Sequence, residues 1–454
     1  MNFSDSKFWL PLIQVGIIMS IILIANIIRR KISFIRKSLI PTSVIAGILI
    51  LLLRFQTDIN KILNKDLLEA ITYHFLALGF IALALKVKPD FKGNNAVILD
   101  TGVVTVNTYL IQGILGIIVT IILSVTIDKD LLAASGLLLP LGFGQGPGQA
   151  LNFGNIYENE FGFSGGADFG LAIAGIGFFV ACFGGVIYLN ILRKKGIIKI
   201  DTDNEKFIDN YEVASEDEIP LSESIDKITI QIALILVSYF LTYLLILGLT
   251  SLSKTYLGNF GMKTVNPLLW GFNFVFGSIV AVVIGIIFKQ LRKHDLMHRQ
   301  YPNNFLLNRF GGFFFDVMIV ASLGAIEIKM LTKLLIPLIL LTIVGTVSTF
   351  IYLKYICKVV YPNYPYQGFF AMFGMLTGTA STGMILLREV DKNFESPMAN
   401  NLVMQSFPAI IFGFPLMLLL AYAPNGLMQS LITLLILTIM FFAFHAAILR
   451  RRRT

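Results

Sequence analysis

The stretch Leu137–Asn155, LLLPLGFGQGPGQALNFGN, decides how the rest of the chain is read. It opens apolar and then crowds Gly142, Gly144, Gly146, Gly148 and Pro147 together. A regular helix does not run through that composition, because each glycine costs about 1 kcal/mol and proline about 3 kcal/mol relative to alanine. Both flanks are nevertheless long and apolar enough to sit in a bilayer. Bare backbone is excluded from hydrocarbon unless protein buries it or it lines a watery cavity. A glycine-rich break at membrane depth therefore predicts a place where something polar binds or passes. The plainer alternative is a helix kinked by small residues for close packing.

A second stretch of this kind follows in the other half of the chain, Phe370–Arg388, FAMFGMLTGTASTGMILLR. Here Gly374, Gly378 and Gly383 are interleaved with Thr377, Thr379, Ser381 and Thr382. Two glycine-interrupted apolar stretches at corresponding places in two halves point to the binding site of a secondary transporter.

The composition agrees with a membrane setting. Mean hydropathy is +0.78, 56% of residues are hydrophobic and 14% are charged, where a soluble domain carries about a quarter charged residues. The net charge of +9 is no nucleic-acid footprint, because the basic residues cluster between apolar runs as loop charge does in polytopic proteins. Cys182 and Cys357 give neither a disulfide framework nor a metal spacing, and His74, His294, His298 and His445 are too scattered for a metal cluster.

Taken in order, the apolar runs predict eleven spans: 8–28, 39–53, 67–85, 96–126, 168–192, 228–252, 267–288, 305–326, 331–352, 401–420 and 427–449. The first is followed by RRKISFIRK (Arg29–Lys37). A cleaved signal peptide carries its charge in front of the apolar run, so this span is retained. If the N-terminus lies outside, Lys7, Arg54, Lys61, Lys65, Lys129, Lys254, Lys263, Lys329 and Lys333 fall outside, and the other 27 of the 36 basic residues fall inside. That asymmetry supports an outside N-terminus and a cytoplasmic C-terminus. It requires the two glycine-rich stretches to dip in from opposite faces and return.

The predicted fold is thus an all-α polytopic membrane protein of two inverted-topology five-helix repeats, each with a re-entrant or broken segment, plus an extra C-terminal transmembrane helix. Residues 1–195 form the first repeat, with its re-entrant loop at about 131–162. Residues 227–422 form the second, with its loop at about 365–388, and 423–454 hold the last helix and a basic tail. The acidic stretch 196–226, which contains Pro220, reads as a mobile cytoplasmic linker.

At the residues just quoted, the chain resembles the bacterial glutamate:sodium symporter family. KSLIPTSVIAGILI (Lys37–Ile50) and LALGFIALALKV (Leu76–Val87) are similar to that family's second and third spans. Gly144-Gln145-Gly146-Pro147-Gly148, followed by YENEFGF (Tyr157–Phe163), resembles its first glycine-rich loop and trailing helix. The resemblance runs from Phe8 to about Leu420. It implies two inverted halves with re-entrant loops, coupling of amino-acid anion uptake to sodium, and a homodimer. The chain departs from the pattern at Gln145, where the family usually carries histidine. It departs also in Leu376–Gly383, where more glycine early and a late proline are expected, and in the added last span.

Sodium is a hard cation that takes oxygen ligands, and unwound glycine-rich backbone presents carbonyls to it while half-helix N-termini present N–H groups to a carboxylate. The first loop offers Gly144, Gln145, Gly146, Gly148 and Gln149 as substrate-binding candidates, with Asn152 as a further amide. The second offers Gly378, Thr379, Ser381 and Thr382. Sodium candidates are Asn107, Thr108, Thr377 and Asp316. Asn107, Thr108 and Gln112 sit mid-span, where amides either bond neighbouring helices or line a site. Asp316 lies within an apolar span, which makes its carboxylate a functional candidate, with a salt bridge, for instance to Arg309, as the alternative. Asp100 and Asp168 read as interfacial, His74 as a packed hydrogen-bonded histidine, and Arg388 as an interfacial anchor, with pairing of a substrate carboxylate as its alternative.

Together these features predict a secondary active transporter of the bacterial inner (plasma) membrane, not an enzyme. Its expected activity is sodium-coupled symport of glutamate or a related small anionic amino acid by alternating access. An inside-negative potential opposes anion uptake by about 2.3 kcal/mol per charge per 100 mV, and co-transported sodium reverses that sign. Beside a membrane enzyme, which would need clustered catalytic side chains that the sequence does not display, two other outcomes compete. One is the same fold carrying another organic anion with protons, using Asp316, His74 and Asp100. The other is a passive channel, since re-entrant loops also build selectivity filters.

Overall fold

The computed structural model describes residues 6–86, 95–198, 221–296, 301–392 and 395–453. Most of the linker expected at 196–226 therefore lies outside the described residues. Among those described, every regular element is a helix and no strand occurs. Ten helices are long and apolar enough to cross a bilayer, and Thr42–Gln56 is apolar but shorter. At 1.5 Å per residue those 15 residues reach about 22 Å against a hydrocarbon core of about 30 Å. Among the described residues, the expectation of eleven full spans is corrected to ten plus this short helix.

The elements that matter below are α1 (Ser6–Lys31), α2 (Thr42–Gln56), α3 (Lys65–Ala84), α4 (Asn95–Thr126), α5 (Pro147–Phe161) and α6 (Gly166–Phe179) in the first half. They continue with α7 (Leu221–Phe260), α8 (Asn273–Lys293), α9 (Asn304–Ala325), α10 (Leu335–Val360), α11 (Pro365–Thr377), α12 (Ala380–Arg388), α13 (Ser406–Tyr422) and α14 (Leu427–Arg453). By packing, the chain divides into two compact units, one of residues 1–72, 93–190 and 319–454, the other of 73–92 and 191–318. This division follows contacts, whereas the repeat boundaries follow chain order, and both units draw on both halves of the sequence.

The larger unit is organised along α4, which is 32 residues long. Its threonines are buried without penalty because each hydroxyl returns to a carbonyl of its own helix: Thr101 to Val97 at 2.7 Å, Thr105 to Thr101 at 3.1 Å and Thr108 to Val104 at 2.8 Å. Further along, the backbones of Gly116 and Gly136 touch, and a Cβ on either would run into the other's peptide. Thr120 closes the same crossing, with Oγ1 2.6 Å from Ala133 O and accepting the Gly136 N–H at 3.2 Å. Gly102 allows a second crossing, since a Cβ there would lie 2.6 Å from Pro408 Cγ of α13.

Asp168, in the first turn of α6, is fully buried. Its carboxylate accepts from Lys65 Nζ at 2.9 Å and from the Glu327 N–H at 2.7 Å, and Lys65 also pairs with Glu69 at 3.6 Å. Arg54, at the end of α2, donates to Gly324 O at 2.6 Å and to Asn60 Oδ1 at 2.7 Å. Asp168 is therefore a buried, ion-paired anchor, where the sequence reading made it interfacial.

The smaller unit has its own core of Leu78, Ile81, Ala82, Leu85, Ile235, Ala281 and Leu307. Phe80 lies edge-on to Phe315 with ring centroids 5.5 Å apart, and Tyr73 donates to Trp270 O at 2.8 Å. His74 is exposed and shares a 2.7 Å hydrogen bond with the Tyr239 hydroxyl, so the expected hydrogen bond is present without the expected burial.

Two outcomes follow for stability, both read as thermal unfolding of purified protein in detergent. Gly116→Ala forces backbone apart where neither strand of the crossing has slack, and it should cost about 1–3 kcal/mol. Asp168→Asn leaves Lys65 without its buried partner. Breaking a fully buried pair costs about 3–5 kcal/mol, and because the Lys65 side chain keeps 23% exposure the loss should fall nearer about 2 kcal/mol. An unchanged midpoint in either variant would contradict the packing described.

Candidate functional site

Both glycine-rich stretches are interrupted helices. The first winds into a wide turn over Leu141–Gln145, breaks at Gly146 with φ +92°, and resumes as α5 with Pro147 in its first turn. That φ suits glycine, which lacks the Cβ that disfavours the left-handed region. Proline just after it costs nothing, since a first-turn N–H has no helical partner anyway. The second runs as α11 to Thr377, opens at Gly378 and Thr379, and resumes as α12. Each break leaves carbonyls at the end of one segment and N–H groups at the start of the next without intrahelical partners.

The fold brings the two breaks together. A Cβ on Gly146 would stand 3.7 Å from Thr379 Cγ2, and one on Gly378 would stand 3.3 Å from the Ala181 Cβ. Gly177, at the end of α6, lies directly against Thr377 O. Between the arms of the second break, Gly374 packs on Gly383, where a Cβ would meet the Gly383 Cα at 2.8 Å.

Helix α4 serves both breaks. Tyr109 Oη donates to Gly144 O at 3.1 Å. Gln112 Nε2 donates to Leu376 O at 3.0 Å and to Thr349 Oγ1 at 2.8 Å. Gln112 Oε1 is buried with no hydrogen bond, and the same holds for Asn107 Oδ1, Gln149 Oε1 and Gln145 Nε2. An unmet buried polar atom costs about 1–3 kcal/mol, so those of Gln112, Gln145 and Gln149, which lie in or against the broken helices, suit a polar ligand. Three of the four are acceptor oxygens, the chemistry that suits a hard cation or an ammonium group.

The remaining candidates divide. Thr377 Oγ1 donates to Phe373 O at 2.7 Å and Thr108 Oγ1 to Val104 O at 2.8 Å, so both hydroxyl hydrogens are engaged by their own helices. Thr379 and Thr382 share a 3.3 Å hydroxyl contact, while Thr379 is half-buried and Ser381 exposed at the tip. Gly148 and Gln149 are buried in the first turns of α5. Asn107 Nδ2 donates to Tyr352 Oη at 3.1 Å. Asp316 is exposed and lies in the smaller unit.

Sequence reasoning passed over Tyr109, Thr349 and Tyr352, the hydroxyls that tie α4 to Gly144 and to α10. Their only local signal is a polar atom inside an apolar run.

No curated protein matches the chain. Residues 11–396 of the 454 match the model of the sodium/glutamate symporter family, and the chain therefore belongs to the sodium/glutamate symporter family, as a multi-pass membrane transporter.

Proposed function

We propose that the chain is a sodium-coupled glutamate symporter of a bacterial plasma membrane, working by alternating access, with its substrate site where the two broken helices meet. The observation that carries this reading is the approach of Gly146 to Thr379, with unmet buried amide atoms on Gln145 and Gln149 beside the first break and on Gln112, which bonds the second. The N-termini of α5 and α12 turn partial positive charge and free N–H groups toward carboxylates. Asn107 Oδ1, Gln112 Oε1 and the carbonyls released by the breaks are the oxygens available to sodium, which travels here as cargo beside the amino acid. Thr379 and Ser381 are at the tip, positioned to close on a substrate.

The same reading makes the two broken segments re-entrant from opposite faces within inverted repeats. The N-terminus is then outside, the C-terminus cytoplasmic, and the working form a homodimer. Coupling has an electrical logic: one sodium neutralises the net charge of glutamate, and a second lets the membrane potential drive uptake, at about 2.3 kcal/mol per charge per 100 mV.

The test is radiolabelled glutamate uptake into proteoliposomes under an imposed sodium gradient and under an equal proton gradient. Concentrative uptake should require sodium. Thr379→Val combined with Ser381→Ala, which touches only the tip, should lower kcat/KM at least about tenfold, or about 1.4 kcal/mol. Uptake driven equally by protons without sodium, or a tip variant with full activity, would overturn the assignment.

A further inference from the structure

Helix α14 begins beyond residue 396, where the family match ends, so the family assignment gives no account of it. It packs lengthwise and antiparallel on α4. Near the middle of both helices a Cβ on Gly113 would lie 3.4 Å from Leu437 Cδ1. Near the start of α4 and the end of α14, Arg451 Nη1 lies 3.1 Å from Asp100 Oδ1 and Arg452 Nη2 lies 2.9 Å from Asp100 Oδ2. The second contact is an ion pair whose angle is too poor for a hydrogen bond, since that nitrogen also counts as unmet. Asp100 has only 1% of its side chain exposed, against 44% and 23% for the two arginines. A carboxylate so deeply buried needs its charge compensated, whereas the arginines could hydrate.

Two further contacts tie the same stretch of α4. Tyr361 Oη donates to Thr101 Oγ1 at 2.8 Å, and Tyr352, which accepts from Asn107, packs against both Phe441 and His445 of α14 at 5.8 and 6.0 Å between ring centroids. Asp100 and Asn107 are seven positions apart, which on a helix of 3.6 residues per turn puts them on one face about 10 Å apart. The added helix thus grips that face at Asp100 directly and at Asn107 through Tyr352. Asn107 and Gln112, both on α4, each carry a buried oxygen without a hydrogen bond, and Gln112 reaches the second break through Leu376 O.

We propose that Asp100 with Arg451 and Arg452 forms a lock that fixes the register of α4, making Asp100 a positioning residue for Asn107 and Gln112 and the C-terminal helix a working part of the transport unit. The proposal rests on the functional reading above for its transport readout, and on geometry alone for its structural one.

The experiment compares full-length wild type with Asp100→Asn, with Arg451→Gln plus Arg452→Gln, with all three changes together, and with the swap Asp100→Arg plus Arg452→Asp. Each is reconstituted in lipid nanodiscs for amide hydrogen exchange and in proteoliposomes for sodium-driven glutamate uptake. The lock predicts several-fold faster exchange over residues 98–107 in either disrupted variant, with the triple variant no worse than the worse of the two. It predicts a KM for glutamate raised about fivefold with kcat changed less than twofold, and substantial recovery in the swap. Asp100→Asn removes the buried charge, so it does not leave an uncompensated ion that would unfold the helix. Arg451→Lys plus Arg452→Lys, which keeps the charge, should lie between wild type and the glutamine pair. Unchanged exchange over 98–107, or effects of the two arms that simply add, would overturn the lock. Failure of wild type to transport glutamate would instead count against the functional reading, since the exchange result stands without it.

Discussion

The constraint on which the larger unit depends is that broken backbone in an apolar interior must find partners outside its own helix. Two helices are interrupted here, at Gly146 and at Gly378–Thr379. The carbonyls they release are met from one side by α4, through Tyr109 on Gly144 O and Gln112 on Leu376 O. That requirement explains why α4 is long, why its mid-section carries amides and a tyrosine among apolar residues, and why its other faces are sealed by close crossings at Gly102 and Gly116. Where those partners stop, at Asn107 Oδ1, Gln112 Oε1, Gln145 Nε2 and Gln149 Oε1, the structure holds buried polar atoms without a hydrogen bond. Leaving each unmet costs about 1–3 kcal/mol, a cost that a polar ligand binding there would relieve.

The ionic anchors follow the same logic at the ends of the bundle. Asp168 and Asp100 are both buried carboxylates held by basic residues from distant parts of the sequence: Lys65 for the first, Arg451 and Arg452 for the second. Removing one partner of such a pair is costly even where the pair itself adds little net stability. These pairs therefore work best as registers, fixing which turn of one helix faces which turn of another. Asp168 fixes the start of α6 against α3, and Asp100 fixes α4 against α14.

Much of this was legible in the sequence because its causes are local. Apolar length gives the spans, and the glycine and proline content of Leu137–Asn155 and Phe370–Arg388 gives the breaks whatever surrounds them. The short second helix misled because its apolar run begins before Thr42, in residues that turn instead of joining the helix. The hydrogen-bond partners of the buried hydroxyls were not legible either. Thr108 and Thr377 bond their own helices, a decision made by side-chain rotamer, on which sequence is silent. Asp316 reads as a candidate because an acidic group in an apolar run usually has work to do, and it lies in the smaller unit. The buried role of Asp100 depends on a helix more than 300 positions away in the chain, and no local pattern encodes that pairing.

The most direct test of the central claim, one shared site for sodium and glutamate at the meeting of the two breaks, is equilibrium binding of glutamate to purified protein by calorimetry, in sodium chloride and in choline chloride. The account predicts measurable binding in sodium, at least tenfold weaker or absent binding in choline, and by linkage an equal tightening of sodium when glutamate is present. Equal glutamate affinity in the two salts would contradict it.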